Sequence, residues 1–245
     1  MQQIISQFAG QYELTKSEVM AEIESVFSSM LSQWYRLEVM VFFREDLQLE
    51  AVAYNKVGGV ILQRMVDLAE MRGQNTIRRE LKKNMAKAAV IKQTRLYKSY
   101  EKELRWGEII SWDSGHNLYV ETEVIPGKKV TAICPLNRVG QHERNSEHFV
   151  TGMKRAFHLR RVNPVLLNGT PRLKVVVDRV SKTLVETLLK EQIGFSAEKM
   201  TIRCTKRYVG QKSFVVTSRR IPKSAIVAVT RELNEQMQVR FDRNL

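Results

Sequence analysis

The chain has 245 residues, 43% hydrophobic and 27% charged, enough to bury a core across two or three modules rather than one large enzyme domain. No apolar run reaches the ~18 residues of a membrane span, and the N-terminus lacks the basic-then-apolar pattern of a signal peptide. A formal net charge of +14 then points to an anionic partner, and the isolated Cys134 and Cys204 suit reduced structural thiols in the cytoplasm.

Residues 15–34 read as an amphipathic helix with Val19, Ile23, Val26, Phe27, Met30 and Leu31 on one face. Thr15 and Glu18 have the spacing of a capping box. Strands follow around Leu37–Phe43 and in LQLEAVAYN, and Val57–Gly58–Gly59 breaks the pattern. From about Val60 the spacing of Ile61, Met65, Leu68 and Met71 predicts a helix, interrupted at Gly73. A second helix is then expected to run to Arg105, capped by Asn75 or Thr76, with Ile77, Leu81, Met85, Ala88, Ile91 (or Val90) and Leu96 on its apolar side. Between Arg78 and Arg105 it carries 10 bases and 3 acids. A solvated face explains these at least as well as an RNA contact, and the helix reads as a connector closing a domain over 1–105.

A new unit opens at Trp106. WGEIISW, NLYVETEV, KKVTAICPL, a strand around Phe157–Val162 and RLKVVVDRV are separated by DSGH, IPGK and NGTP. Five short strands at such intervals predict a small antiparallel barrel of OB-fold type over 106–180. The polar stretch Asn137–Gly152 is expected to be an exposed loop. Lys154, Arg155, Arg160 and Arg161 flank Phe157 and His158, the mix of cations and π-faces that single-stranded RNA asks for. Tyr119 could share that face, and Phe157 fits a barrel core equally well.

The organising stretch is Arg172–Ile193. Leu173, Val175 and Val177 alternate as a strand, Ser181 is placed to cap a helix, and Leu184, Leu188 and Leu189 form that helix's apolar side. EKMTIRCTKRYVG and QKSFVVTSRR then read as a hairpin, IPKSAIVAVTRELNEQ as a helix opened by Pro222, and MQVRF as a last strand. The order over 181–245 matches a shortened KH-like unit. The glycine loop with which KH domains clamp a backbone is absent, and the basic SRRIPKS stands in its place. The whole chain is thus expected to be α+β and multidomain.

Charge divides the same way. Residues 1–149 hold 20 Lys/Arg against 19 Asp/Glu, whereas 150–245 hold 20 against 7. Residues 1–50 alone have 8 acids and 3 bases. An acidic head on a basic tail implies two partners, with the tail matched to phosphate. Lys206, Arg207, Lys212, Arg219, Arg220 and Lys223 extend the expected RNA surface.

Little points to catalysis. His142 and His148 in QHERNSEH are six apart, not the four of HExxH, and lack an evident third ligand. Gly127–Lys128 lacks the glycine spacing and Ser/Thr of a phosphate loop, and no nucleophile elbow or CxxC pair occurs. Asp113 and Asp178 fit a nuclease or simple turns. Solvation explains Glu18, Glu22 and Glu24. No enzymatic activity, metal, cofactor or small-molecule substrate is expected.

In its order of modules the chain resembles the bacterial transcription elongation and termination factor NusA. Gly107–Ile110 (GEII) looks like the opening of that family's barrel, and Val177–Ile193 like its passage from barrel into KH. Val229–Phe241 resembles the end of its first KH domain. The chain departs from it in having one truncated KH unit, no glycine loop and no acidic C-terminal repeats. The resemblance implies a head that binds RNA polymerase, with Glu18, Glu22, Glu24, Glu45 and Asp46 as its acidic contacts. It also implies a barrel and KH half that guides nascent single-stranded RNA in elongation, termination or antitermination. The other reading is a free RNA- or DNA-binding protein of translation, RNA handling or replication.

Overall fold

Thr15 opens the first long helix as its spacing predicts. Its hydroxyl accepts from the Glu18 N–H at 3.2 Å while the Glu18 carboxylate accepts from the Thr15 N–H at 2.7 Å. The computed structural model describes residues 1–67, 71, 73–144, 149–194 and 200–243. Among these the protein is mixed α+β, with five α-helices and three sheets. It divides into two compact units, Met1–Thr94 with Pro164–Leu173, and Arg95–Asn163 with Lys174–Leu245.

The first unit contains α1 (Gln2–Tyr12), α2 (Lys16–Tyr35), β1 (Glu38–Phe43), β2 (Leu49–Tyr54), β3 (Val60–Met65) and most of α3 (Gln74–Lys98). α2 buries the six residues its periodicity marks, against Val39, Val41, Leu49 and Ala53 of the sheet and Ile77, Leu81 and Met85 of α3. The free edge of β1 is closed by α2. Glu24, Ser28 and Ser32, one helical turn apart, accept from the N–H groups of Phe43, Val41 and Val39 at 2.8, 2.8 and 2.9 Å. Covering an edge in this way removes a template for unwanted strand pairing.

The helix expected from Val60 is instead a strand. Asn55 makes the difference, its side-chain oxygen accepting from Val57 and Gly59 N–H at 3.0 and 2.8 Å. With Gly58 at φ +85 the chain reverses, and VILQRM pairs with β2. Leu68 of the expected stripe lies outside the described residues. α3 stops at Lys98, short of Arg105, and Leu96 is exposed rather than on the apolar side.

β4 (Leu104–Trp112), β5 (Leu118–Ile125), β6 (Lys128–Cys134), β7 (Lys154–Leu167) and β8 (Thr170–Asp178) form a five-strand ring, which lies in the second unit apart from Pro164–Leu173. Its order is β4-β5-β6-β8-β7, with β7 paired back to β4. Ile109, Val120, Val124, Ala132, Phe157, Leu159, Val175 and Val177 are buried. The stretch expected as an exposed loop, Asn137–Gly152, buries Val139, Glu143 and Phe149.

α4 (Lys182–Ile193), β9 (Ile202–Tyr208), β10 (Lys212–Thr217), α5 (Lys223–Leu233) and β11 (Gln236–Phe241) complete the unit. Ser181 caps α4, its hydroxyl accepting from the Leu184 N–H at 3.2 Å. β9 and β10 are antiparallel, while α5 returns the chain so that β11 runs parallel to β10. Leu184, Leu188 and Leu189 of α4 and Val229 and Leu233 of α5 pack on Ile202, Cys204 and Val215. Ala156, Leu104 and Trp106 of the ring belong to the same core. The modules expected over 106–180 and 181–245 therefore share one interior.

Arg179, between β8 and α4, is fully buried at that junction. Each of its N–H groups has an acceptor. Nη1 donates to the Ala156 carbonyl at 2.6 Å and to Glu232 at 2.7 Å, and Nη2 to the Glu232 carbonyl at 3.0 Å and to Glu143. Nε donates to Glu143 at 3.0 Å. Phe149 and Phe157 lie 5.0 and 5.7 Å from the guanidinium carbon. Burial works against its charge, and Glu143 and Glu232 more than offset this. Replacing Arg179 by Met leaves Glu143 buried without its cation and is expected to cost ~3–5 kcal/mol of stability. Urea unfolding at pH 7 measures this, and adding Glu143→Gln should recover part of the loss.

Candidate nucleic-acid interface

In the C-terminal half the carboxylates are tied to the chain's own donors. Asp178 accepts from the Ser181 N–H at 2.9 Å, Glu186 from the Cys204 N–H at 2.7 Å and Glu191 from the Trp106 indole at 2.8 Å. Glu232 holds Arg179 and Arg155. Glu235 accepts from Arg207 at 2.7 Å, the Gly210 N–H at 3.1 Å and the Ser213 hydroxyl at 2.9 Å. Burial pushes the Glu235 carboxyl up, but Arg207 and these donors hold it below the usual range.

What is left outside is cationic. α4 and α5 cover one face of the β9–β10–β11 sheet. The register places Arg203, Lys206, Tyr208, Lys212, Phe214, Val216, Gln236, Gln238 and Arg240 on the other. A β-bulge makes this possible. Phe214 pairs with Lys206 but Val215 pairs with Cys204, so Thr205 is the extra residue. Cys204 and Ile202 can then face the core while Lys206 and Tyr208 face out. Among the described residues, Arg203, Lys206, Lys212 and Arg240 form no ion pair.

The strand alternation that exposes Lys206 sends Arg207 inward to Glu235, with 2% of its side chain exposed. Of the tail residues expected to meet RNA, Lys206 and Lys212 share the open face and Arg207 does not. Arg219 and Arg220 are exposed on the turn between β10 and α5, and Lys223 is exposed as the first residue of α5. That turn is held by a Thr217 hydroxyl donating to the Arg219 carbonyl at 2.7 Å and by Thr201 and Ser218 bonding each other at 2.9 and 3.0 Å. Arg203 and Arg240 both pair with Val216, at the end of the sheet nearest this turn. Sequence reading passed over Arg203, Tyr208, Phe214 and Arg240. The alternation of β10, with Ser213, Val215 and Thr217 buried, is the signal that would have found Phe214.

The ring offers less than its sequence suggests. Phe157 is 1% exposed, in the core, and has no face for a base. His158 is also buried, its Nδ1 lying 3.1 Å from Asp178 Oδ2. The reason is that β7 is covered on both sides here, by the ring interior and by the α4–α5 core. Arg155 pairs with Glu232 at 3.3 Å and Arg160 lies 3.7 Å from Asp178. Lys154 and Arg161 remain exposed. Tyr119 reaches Asp113 at 3.4 Å, and Asp113 itself closes a turn by accepting from the Asn117 N–H at 2.8 Å. Near Tyr119 the surface is acidic, with Glu108 opposite Glu121 across β4 and β5, and Lys129 paired to Glu121 at 2.7 Å. Such a surface repels phosphate.

In the first unit, Glu18 is tied to Lys92 at 2.7 Å, and that bond with the Thr15 N–H lowers its pKa to about 2. Glu22 is half-buried, and burial raises its pKa. Glu24 closes the β1 edge. Glu45 and Asp46 stand exposed in the β1–β2 turn, where Asp46 accepts from the Gln48 N–H at 3.1 Å.

Among the described residues no cluster of His, Cys, Asp and Glu is placed to hold a metal. His148 lies outside them. His142 packs between Gly140 and Gly210, where added side chains would come within 2.6 and 2.4 Å of its ring, and its Nε2 lies 3.1 Å from the Leu233 carbonyl. No helix described is long and apolar enough to cross a membrane. Neither a scan against protein-family models nor a search of curated proteins finds a match to the chain.

Because the Glu235 carboxyl is held below its unfolded value, its contribution is present above the unfolded pKa and lost as pH falls through the folded one. Glu235→Gln is expected to lower the urea midpoint at pH 7, with the gap to the native chain narrowing below about pH 4.

Proposed function

We propose that the chain is a NusA-like, non-enzymatic transcription factor of the bacterial cytoplasm. Its N-terminal unit docks on RNA polymerase, and its C-terminal unit holds nascent single-stranded RNA. The observation that carries this reading is the cationic sheet face and turn of the C-terminal layer, where Lys206, Lys212, Arg203, Arg240, Arg219, Arg220 and Lys223 are not paired with the layer's carboxylates. The module order supports it as well. A ring of order β4-β5-β6-β8-β7 has the strand sequence of an OB-fold, and helix–strand–strand–helix–strand follows, as in a shortened KH unit. The basic turn takes the place of the glycine loop.

Polymerase binding would raise the local concentration of the RNA-holding half beside the emerging transcript, so that weak contacts suffice. Of the acids implicated in docking, Glu45 and Asp46 are exposed and take no part in helix capping or edge closure.

The test is co-elution of the full chain with core RNA polymerase, alongside RNA binding as a function of salt. Glu45→Lys with Asp46→Lys is expected to weaken co-elution and leave RNA binding intact. Arg219→Ala, Arg220→Ala and Lys223→Ala together should weaken binding across RNA sequences and flatten the log–log salt slope by about 2. A chain that binds RNA but never co-elutes with polymerase is a free RNA-binding protein instead.

A further inference from the structure

The turn and the sheet face offer different chemistry. Arg219, Arg220 and Lys223 offer cations without an aromatic ring beside them. The open face of β9–β10–β11 has π-surfaces too. Tyr208, 44% exposed, and the half-buried Phe214 sit on adjacent strands with ring centroids 6.2 Å apart and planes at 73°. That edge-to-face geometry is a favoured one for aromatic pairs, so the two rings hold each other in place without a ligand. Lys206 Nζ stands 4.7 Å from the Tyr208 centroid, and Lys212 Nζ 5.3 Å from that of Phe214. Arg203 and Arg240 flank Val216 further along β10. Gln236 and Gln238 line the same face from β11, placing amide donors and acceptors beside the rings. None of the strand residues facing out between Arg203 and Arg240 is acidic.

We infer that this sheet face is a stacking platform for single-stranded RNA, with unpaired bases on Tyr208 and Phe214 and the backbone led along Lys206, Lys212, Arg203 and Arg240. The inference rests on the RNA-holding reading above and adds a site separate from the basic turn. An RNA strand is the occupant because the face combines what neither a protein nor a lipid surface requires together. It has cations without acids among its outward strand residues, two partly exposed rings pre-oriented on the sheet, and amides on the neighbouring strand. Stacking tolerates any base, since each has a π-face. The platform therefore holds RNA without choosing sequence. The bulge at Thr205 is part of the site, because without it either Lys206 and Tyr208 or Ile202 and Cys204 would lie on the wrong face.

The experiment measures binding of a fluorescein-labelled 12-mer oligo(U) to the full chain by anisotropy between low and moderate salt. Tyr208→Leu with Phe214→Leu keeps apolar bulk and removes both π-faces. It is expected to weaken binding at least about tenfold while leaving the salt slope unchanged, because no cation is lost. Lys206→Ala with Lys212→Ala should instead flatten the slope by about 1.4. Tyr208→Phe with Phe214→Tyr, which retains both rings, should bind like the native chain and guards against a folding artefact. Double-stranded RNA of the same length, whose bases are already stacked, should not respond to the leucine pair. If the leucine pair binds oligo(U) normally while the Arg219–Arg220–Lys223 variant does not, the platform is overturned and the RNA-holding reading survives. A native chain that binds no oligo(U) overturns both, and a leucine pair that weakens anionic vesicles or duplex RNA equally overturns stacking.

Discussion

The second unit depends on one buried guanidinium. Arg179 sits where the ring ends and α4 begins, and it bonds Glu143 in the stretch between β6 and β7, the ring at Ala156 and α5 at Glu232. A lysine could not do this. Its three donors radiate from a point, whereas the planar fork of arginine reaches carboxylates on opposite sides and lies between two rings. Burying a charge is costly unless every donor is met, and here every donor is met. The ring and the C-terminal layer cannot then separate without exposing an unsatisfied arginine and its carboxylates.

The same economy shapes the surface. Interior pairs such as Arg179–Glu143 and Arg207–Glu235 remove equal charge of each sign and leave the net charge as it was. The tail has few acids to begin with, and among the described residues Asp178, Glu186, Glu191, Glu232 and Glu235 are all bonded to donors of the chain itself. In the first unit the acids are spent differently. Glu18 caps a helix and Glu24 closes a strand edge. A count of charges cannot distinguish a carboxylate that solves a folding problem from one that waits for a partner.

Local signals in the sequence were reliable where local physics decides. The T-x-x-E box, the apolar stripe of α2, the alternation through Leu173, Val175 and Val177, and the Ser181 cap all depend on near neighbours, and the structure has them. The failures are at places where distant contacts decide. Ile61 and Met65 have helical spacing, yet the Asn55 turn delivers them to β2. Phe157 fitted a core as well as an RNA face and lies in the core, while His158 looks exposed because reading by alternation assumes a wet face, and β7 has none there. The sign of each residue in β9 was also hidden. TIRCTKRY alternates cleanly, and only the extra residue at Thr205 reverses which half of it faces out.

That reversal matters for what the C-terminal layer can do. Its helical side is occupied, with Trp106 bonded to Glu191, Arg155 to Glu232, and Ala156 inside the shared core. The turn between β10 and α5 has its backbone engaged by Thr201 and Thr217. The opposite face of the sheet has no layer over it among the described residues. It is also where the bulge gathers rings and cations. Contacts of this kind are individually weak and indifferent to sequence. Under the proposed reading they suit a protein that takes its placement on the transcript from a second attachment.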